Sequence, residues 1–399
     1  MEAKEQPYRR NLLVLLVLQS LSTTAAVVLA TVNGLAGLSI APDRSLATIP
    51  TTAFVLGGAI STYFASLYMA RFGRRAGFRM GALWAIAGAG ICAYAMHHHR
   101  FWLLCFGSLV FGTHNAFAQY HRFAAAEAVS APLRSRAISW VLAGGVVGAV
   151  LGPESTKLSK GLTSTVFVGS YLSLIAFALL ALALTFLLSL PPPQRENTQR
   201  SVGALRLLRR LDVAVAVASA VLGYAVMVFL MTATPLAMDH HRHPFSDTAW
   251  VIEWHVLGMF VPSFVTGSII RRVGVVKVIL AGAAMMALCI GVNFAGVTMA
   301  HFWVALLLLG VGWNFMFIGG TTLLAESCTD QDKSVAQGTN EVLVFGANTA
   351  ASLSAGVLLH HVGWQAMNVM ALPFLLVVVA LCVALAFRPG EGPKARSEA

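Results

Sequence analysis

The chain is short of charge. Only 11% of its 399 residues are Asp, Glu, Lys or Arg, against about 25% in a soluble domain, and the mean hydropathy is +0.75. This excludes a soluble globular domain and indicates a polytopic membrane protein. Carboxylates are scarcer than cations, 16 against 27, for a net charge of +11. The basic residues lie in short loops between apolar runs, so the excess does not mark a nucleic-acid surface, and no nucleic-acid partner is expected. The five cysteines, Cys92, Cys105, Cys289, Cys328 and Cys382, are scattered, with no CxxC. That leaves neither a disulfide framework nor a zinc site. No cleavable signal is evident, and the first apolar run is long enough to be a retained span. No hydrolytic or redox constellation is present, so the chain does not read as an enzyme and calls for no cofactor.

Long apolar runs are what the chain has instead. A span needs about 20 such residues, and twelve are expected, near 11–34, 46–70, 77–96, 101–123, 136–156, 165–190, 212–237, 247–270, 275–297, 301–325, 335–359 and 364–387. With the N-terminus inside, 22 of the 27 Lys and Arg fall on the cytoplasmic side, which predicts that both termini are cytoplasmic. The longest polar connection, 191–211, is Pro-rich and then basic. It divides an N-terminal six-helix half, 1–190, from a C-terminal six-helix half, 212–399. Arg71-Phe72-Gly73-Arg74-Arg75 follows the second span, and Arg271-Arg272-Val273-Gly274 follows the eighth. This echo indicates an internal repeat.

Two pairs of soft donors stand on neighbouring spans. Met227 and Met231 are spaced i, i+4 on the seventh, and His255 and Met259 on the eighth, so each pair shares a helix face. Counting about 1.5 Å per residue from a turn near His243 puts Met231 level with His255, and Met227 level with Met259. Antiparallel packing of the two helices would then gather three thioethers and one imidazole. These uncharged donors suit Cu(I) better than Mg or Ca, and a neutral cage avoids the cost of charge within the bilayer.

The loop RFGRR after the second span resembles the cytoplasmic motif of the major facilitator superfamily, GxxxDRxGRR. Ser66 and Ala70 stand where that pattern has glycine and aspartate. The resemblance covers nearly the whole chain and implies an all-α membrane fold of twelve transmembrane helices in two six-helix halves, working by alternating access around a central cavity. MxxxM and HxxxM at Met227, Met231, His255 and Met259 resemble the motifs of the CcoA-type copper importers within it. That narrower resemblance implies a bacterial inner-membrane importer that supplies copper for cytochrome c oxidase assembly. Copper would be the transported substrate, the lipid bilayer its setting and an unspecified intracellular copper acceptor its partner. Relatives labelled riboflavin transporters leave a second expectation open. A riboflavin or other flat aromatic importer would stack its solute on Trp250, Trp254, Trp313 and Phe317. The Gly-rich fifth span, LAGGVVGAVLGP, weakly resembles that of drug/proton antiporters and ranks efflux behind both.

Carboxylates inside spans default to function. Glu341, one to two turns into the eleventh span, is the expected coupling or gating residue, with Arg71, Arg74 and Arg75 as gating cations. Gln119, Tyr120, His121, Arg122 and Glu127 at the inner end of the fourth span read as an ion-pair lock between the halves. Nine of the twelve histidines lie at outer ends, among them His97, His98, His99, His240, His241 and His243. They would form a loose collecting surface for metal, weakening as pH falls below about 6.5.

Overall fold

The computed structural model describes residues 6–129, 134–190, 204–328 and 332–387. It comprises fifteen helices among those residues: α1 Gln6–Ile40, α2 Ile49–Phe72, α3 Arg74–His97, α4 Phe101–Ala118, α5 His121–Glu127, α6 Arg134–Ser159, α7 Val168–Thr185, α8 Ala204–Leu208, α9 Leu211–His240, α10 Phe245–Phe260, α11 Ser263–Val273, α12 Val275–Ala295, α13 Met299–Ser327, α14 Lys333–Val369 and α15 Leu372–Ala386. A short 3-10 turn, Arg44–Leu46, precedes α2.

Nine stretches of the described chain are long and apolar enough to cross a bilayer as they stand. One of them, Val335–Ala386, runs 52 residues and parts into two at Gly363, whose φ of 78° no helix accommodates. Helices α10 and α11 form one span bent by 43° where Pro262 removes a backbone donor. Helix α6, 26 residues long, is long enough to span, with Arg134 and Arg136 at its start and Glu154 and Lys157 near its end. Counted so, the described residues hold twelve candidate spans, consistent with an all-helical bundle of this class.

The repeat is deeper than the loop motif. Gly73 and Gly274 both take the left-handed region, φ 85° and 93°, each ending one helix and starting the next. Gly57 and Gly258 repeat at the same interval of 201 residues, as do Gly81 and Gly282. A Cβ on Gly57 would come within 2.0 Å of the Leu109 carbonyl, and one on Gly258 within 3.0 Å of the Leu307 carbonyl. In each half, then, a bare glycine lets the second span press onto the backbone of the fourth, as close packing in lipid favours.

The halves meet unevenly. Their main contacts run between α2 and α14, α6 and α10, and α1 and α9, and between the 3-10 turn and α14. The Thr52 and Ser352 hydroxyls hydrogen-bond across this seam at 3.0 Å. Gly34 meets Leu236, Gly356 meets Thr48 and Thr52 meets Ser352 toward the end opposite the termini, and Gly145 meets Phe260 nearer the middle. Helix α11, the terminal-side part of the eighth span, packs on α10, α12 and α13 of its own half. The end opposite the termini, where the halves meet, is the closed end.

Candidate functional site

The soft donors sit in the second half. Met227 is 2% exposed and Met259 8%, and both belong to that half's large buried cluster. Met231 is half-buried. It packs against that cluster and against Val27, Ala149, Ile252 and Val256, where the halves touch. His255 has no exposed surface. Its Nδ1 lies 2.8 Å from the Leu306 carbonyl; a carbonyl only accepts, so Nδ1 carries the hydrogen and Nε2 keeps a lone pair. That Nε2 is buried and has no hydrogen-bond partner.

The expected side-by-side packing of the seventh and eighth spans is not what forms. Helix α10 packs along α13 and α6 and barely touches α9, whose principal neighbours are α13 and α14. Sequence adjacency suggested a hairpin, but the glycines Gly258 and Gly310 draw α10 onto α13 instead. A Cβ on Gly310 would fall 2.3 Å from the His255 carbonyl. His255 is thereby held against α13 rather than against Met231's helix. Among the described residues no three His, Cys, Asp or Glu side chains gather as a metal-binding group.

Beside these donors stands an aromatic wall. Trp313 and Phe317, one turn apart on α13, stack at 5.1 Å and 9°. Tyr224 of α9 meets both edge-on, at 5.2 and 5.4 Å, and Phe260 approaches Trp313 at 6.5 Å. Trp250 and Trp254 belong to a different group, with Trp303, nearer the closed end; Trp250 stacks on Trp303 at 5.4 Å. The four expected stacking residues thus divide between two places. Tyr224 was missed in the sequence, where only its place three residues before Met227 marks it.

Charge reaches the wall from both halves. Glu341 of α14 and Arg122 of α5 act electrostatically on each other and on Tyr224. They make no salt bridge, unlike Arg74 with Glu127, Lys157 with Glu154 and Arg210 with Asp212. The Arg122 Nε is buried without a hydrogen-bond partner.

The loop arginines bind within the first half. Arg74 meets Glu127 at 2.7 Å and lies 4.9 Å over the Tyr120 ring. Arg75 donates to the carbonyls of Thr185 and Phe186 at the end of α7, where a cation suits the helix dipole. Arg71 lies 5.2 Å over Phe72. In this closed-end conformation Glu127 therefore locks α3 to α5, not one half to the other. His121 hydrogen-bonds Gln19 and packs against the Phe78 ring at a tilt of 48°. The histidines of the closed end occur as neighbouring pairs, His97–His98, His240–His241 and His360–His361.

The family model described as Major Facilitator Superfamily matches residues 12–252 and 215–399. The riboflavin transporter RfnT of Brucella anthropi is 37% identical over 384 residues, covering 94% of this chain and 96% of that protein. YdeG of Bacillus subtilis, an uncharacterized MFS-type transporter, is 29% identical, covering 95% and 93%. Among solved structures, the human organic anion transporter MFSD10 superposes with a TM-score of 0.68 at 16% identity, covering 94% of this chain and 99% of that one. The nucleoside transporter NupG also gives 0.68, at 13% identity, covering 94% and 100%.

Proposed function

The chain belongs to the Major Facilitator Superfamily, and from that membership we propose an importer of a flat heteroaromatic solute of the riboflavin class in the bacterial inner membrane. The observation that carries this reading is the 37% identity, over nearly the full length, to a riboflavin transporter. Tyr224, Trp313 and Phe317 support it as a group of rings of the kind a planar solute stacks on, with Trp313 itself 7% exposed. In this reading both termini are cytoplasmic, and the halves part at that end to release cargo inward. Glu341 takes the coupling role, and Arg71, Arg74 and Arg75 hold the terminal end of the first half as one unit. Cells carrying the protein should accumulate radiolabelled riboflavin faster than cells without it, and Phe317→Ala should cut the rate while the protein stays in the membrane. Equal accumulation with and without the protein would reject the reading.

Copper import is the second reading, and His255 favours it. A metal-ligating histidine commonly donates its other ring N–H to a carbonyl, as His255 does to Leu306, which leaves Nε2 free to bind. Met227, Met231 and Met259 would be its companions, with copper the cargo. Radiolabelled copper and riboflavin in one uptake assay separate the two. Copper accumulation lost in Met231→Ala and His255→Ala, with riboflavin uptake absent throughout, would move the conclusion to copper.

A further inference from the structure

A ring from the second half is set into the core of the first. Phe245, the first residue of α10, packs against the buried cluster that holds Val28, Phe167 and Tyr171, and every other described member of that cluster belongs to the first half. Its ring centroid lies 5.9 Å from that of Phe167, and the Lys160 ammonium sits 3.9 Å over its face. A cation over a ring face is attracted by the ring quadrupole, the more strongly as water is withdrawn from the pair. The first half builds this seat under strain. Phe167 takes the left-handed region, φ 69°, which a residue with a bulky side chain holds only where its surroundings determine it. Its N–H donates to the Lys160 carbonyl at 2.9 Å, so the loop 160–167 closes on itself and carries both residues that hold the ring. On the other side, Arg242 turns the chain at φ 62° and Pro244 leads it into α10. Two of the three described non-glycine residues with positive φ therefore flank one contact.

A cavity of about 320 Å³ adjoins the ring and is lined by both halves, by Leu38, Lys160 and Phe167 on one side and by Asp239, His243 and Thr248 on the other. Water therefore has a place to enter as soon as the ring withdraws. We propose that Phe245 is the plug of the end opposite the termini and Lys160 the clasp that holds it. Transport by rocking of two halves requires this end to part, and the ring must then leave its seat, give up the cation and uncover the apolar cluster behind it. The depth of the plug and the grip of the ammonium set how often this end opens, whichever cargo is carried. The strained loop keeps the seat in shape while the ring is out, so that the plug returns to a formed socket.

The test reads opening rather than cargo. Thr52 is 5% exposed and faces Ser352 across the seam, so in the Thr52→Cys protein, purified into lipid nanodiscs, the rate of maleimide labelling reports how often this end parts. Lys160→Gln should raise that rate by about 3- to 30-fold, the span of a cation–π contact partly out of water. Phe245→Leu keeps apolar bulk and loses the ring face, and should raise it to a similar degree. Lys160→Gln added to Phe245→Leu should then change little, because the two residues act through one contact. Lys160→Arg, which keeps a cation to lie over the ring, should bring the rate back toward that of the parent. Lys160 is half-buried at the end of its helix, so its variants test the clasp even where a change at Phe245 prevents folding. Unchanged labelling in Lys160→Gln and Phe245→Leu, or effects that add in full when the two are combined, would overturn the proposal. So would labelling that spreads to the native cysteines, all five of them buried, since that marks a loosened fold instead of an opened end.

Discussion

Asn314 repairs a broken helix. Pro262 interrupts the eighth span, and the Met259 carbonyl at the break is taken up by the Asn314 amide at 2.7 Å. The same amide donates to the Ser263 hydroxyl, and its Oδ1 accepts from Thr266 at 2.7 Å. One fully buried side chain of α13 thus ties α10 and α11 together at their bend. Asn314→Leu keeps the bulk and removes all three bonds. It should lower stability by about 1–2 kcal/mol, the range for buried polar contacts in membrane proteins, seen as a lower melting temperature in detergent. The sequence showed Asn314 only as a polar interruption in an aromatic run, because its partners lie about 50 residues away and no local pattern points to them. Met227, Met231, His255 and Met259 were legible as soft donors for the opposite reason: i, i+4 spacing is a local signal. Whether the two pairs face one another depends on which helices pack together, and no spacing within a helix encodes that.

Glycines decide that packing at the scale of the element. Where a Cβ would strike the backbone of the next helix, as at Gly57 against Leu109 and Gly310 against His255, the two helices are pressed together and their neighbours follow. Gly310→Ala should push α13 from α10, disturb the His255–Leu306 hydrogen bond, and lower the melting temperature and solute uptake together. Gly274 acts through its backbone, since its φ of 93° is strained for any L side chain while nothing lies within 4 Å of its Cβ position. Gly274→Ala should therefore cost about 1–2 kcal/mol from conformation alone. Gly291→Ala, inside α12 with open space around it, should be neutral or stabilising, since alanine favours the helix by roughly 0.5–1 kcal/mol. Thermal melting of the two variants side by side checks the contrast. The spans themselves were legible because bilayer thickness imposes a minimum apolar length. The break at Pro262 was passed over because the residues on both sides remain apolar.

The whole molecule stands closed at one end. Thr52 and Ser352 touch there across the two halves. Thr52→Cys combined with Ser352→Cys should form a disulfide under mild oxidation, arrest uptake, and release it again on reduction, while each single variant stays active. The five native cysteines are buried and leave the background clean. Failure to cross-link in membranes would mean that this closed arrangement is rarely visited. The two-half plan was legible through the recurrence of Arg-Gly loops after the second and eighth spans, whereas the side that is shut was not, since opening and closing use the same residues. The makeup of this seam sets how easily it parts. Thr48, Thr52, Ser352 and a bare Gly356 meet there, and hydroxyls parted from one another are met by water at little net loss. Beside them Phe245 meets Phe167, and Ile252 and Val256 pack on Val27 and Ala149, so separation wets the hydroxyls at little loss but also uncovers oily surface, and it is that apolar part which cargo binding has to offset.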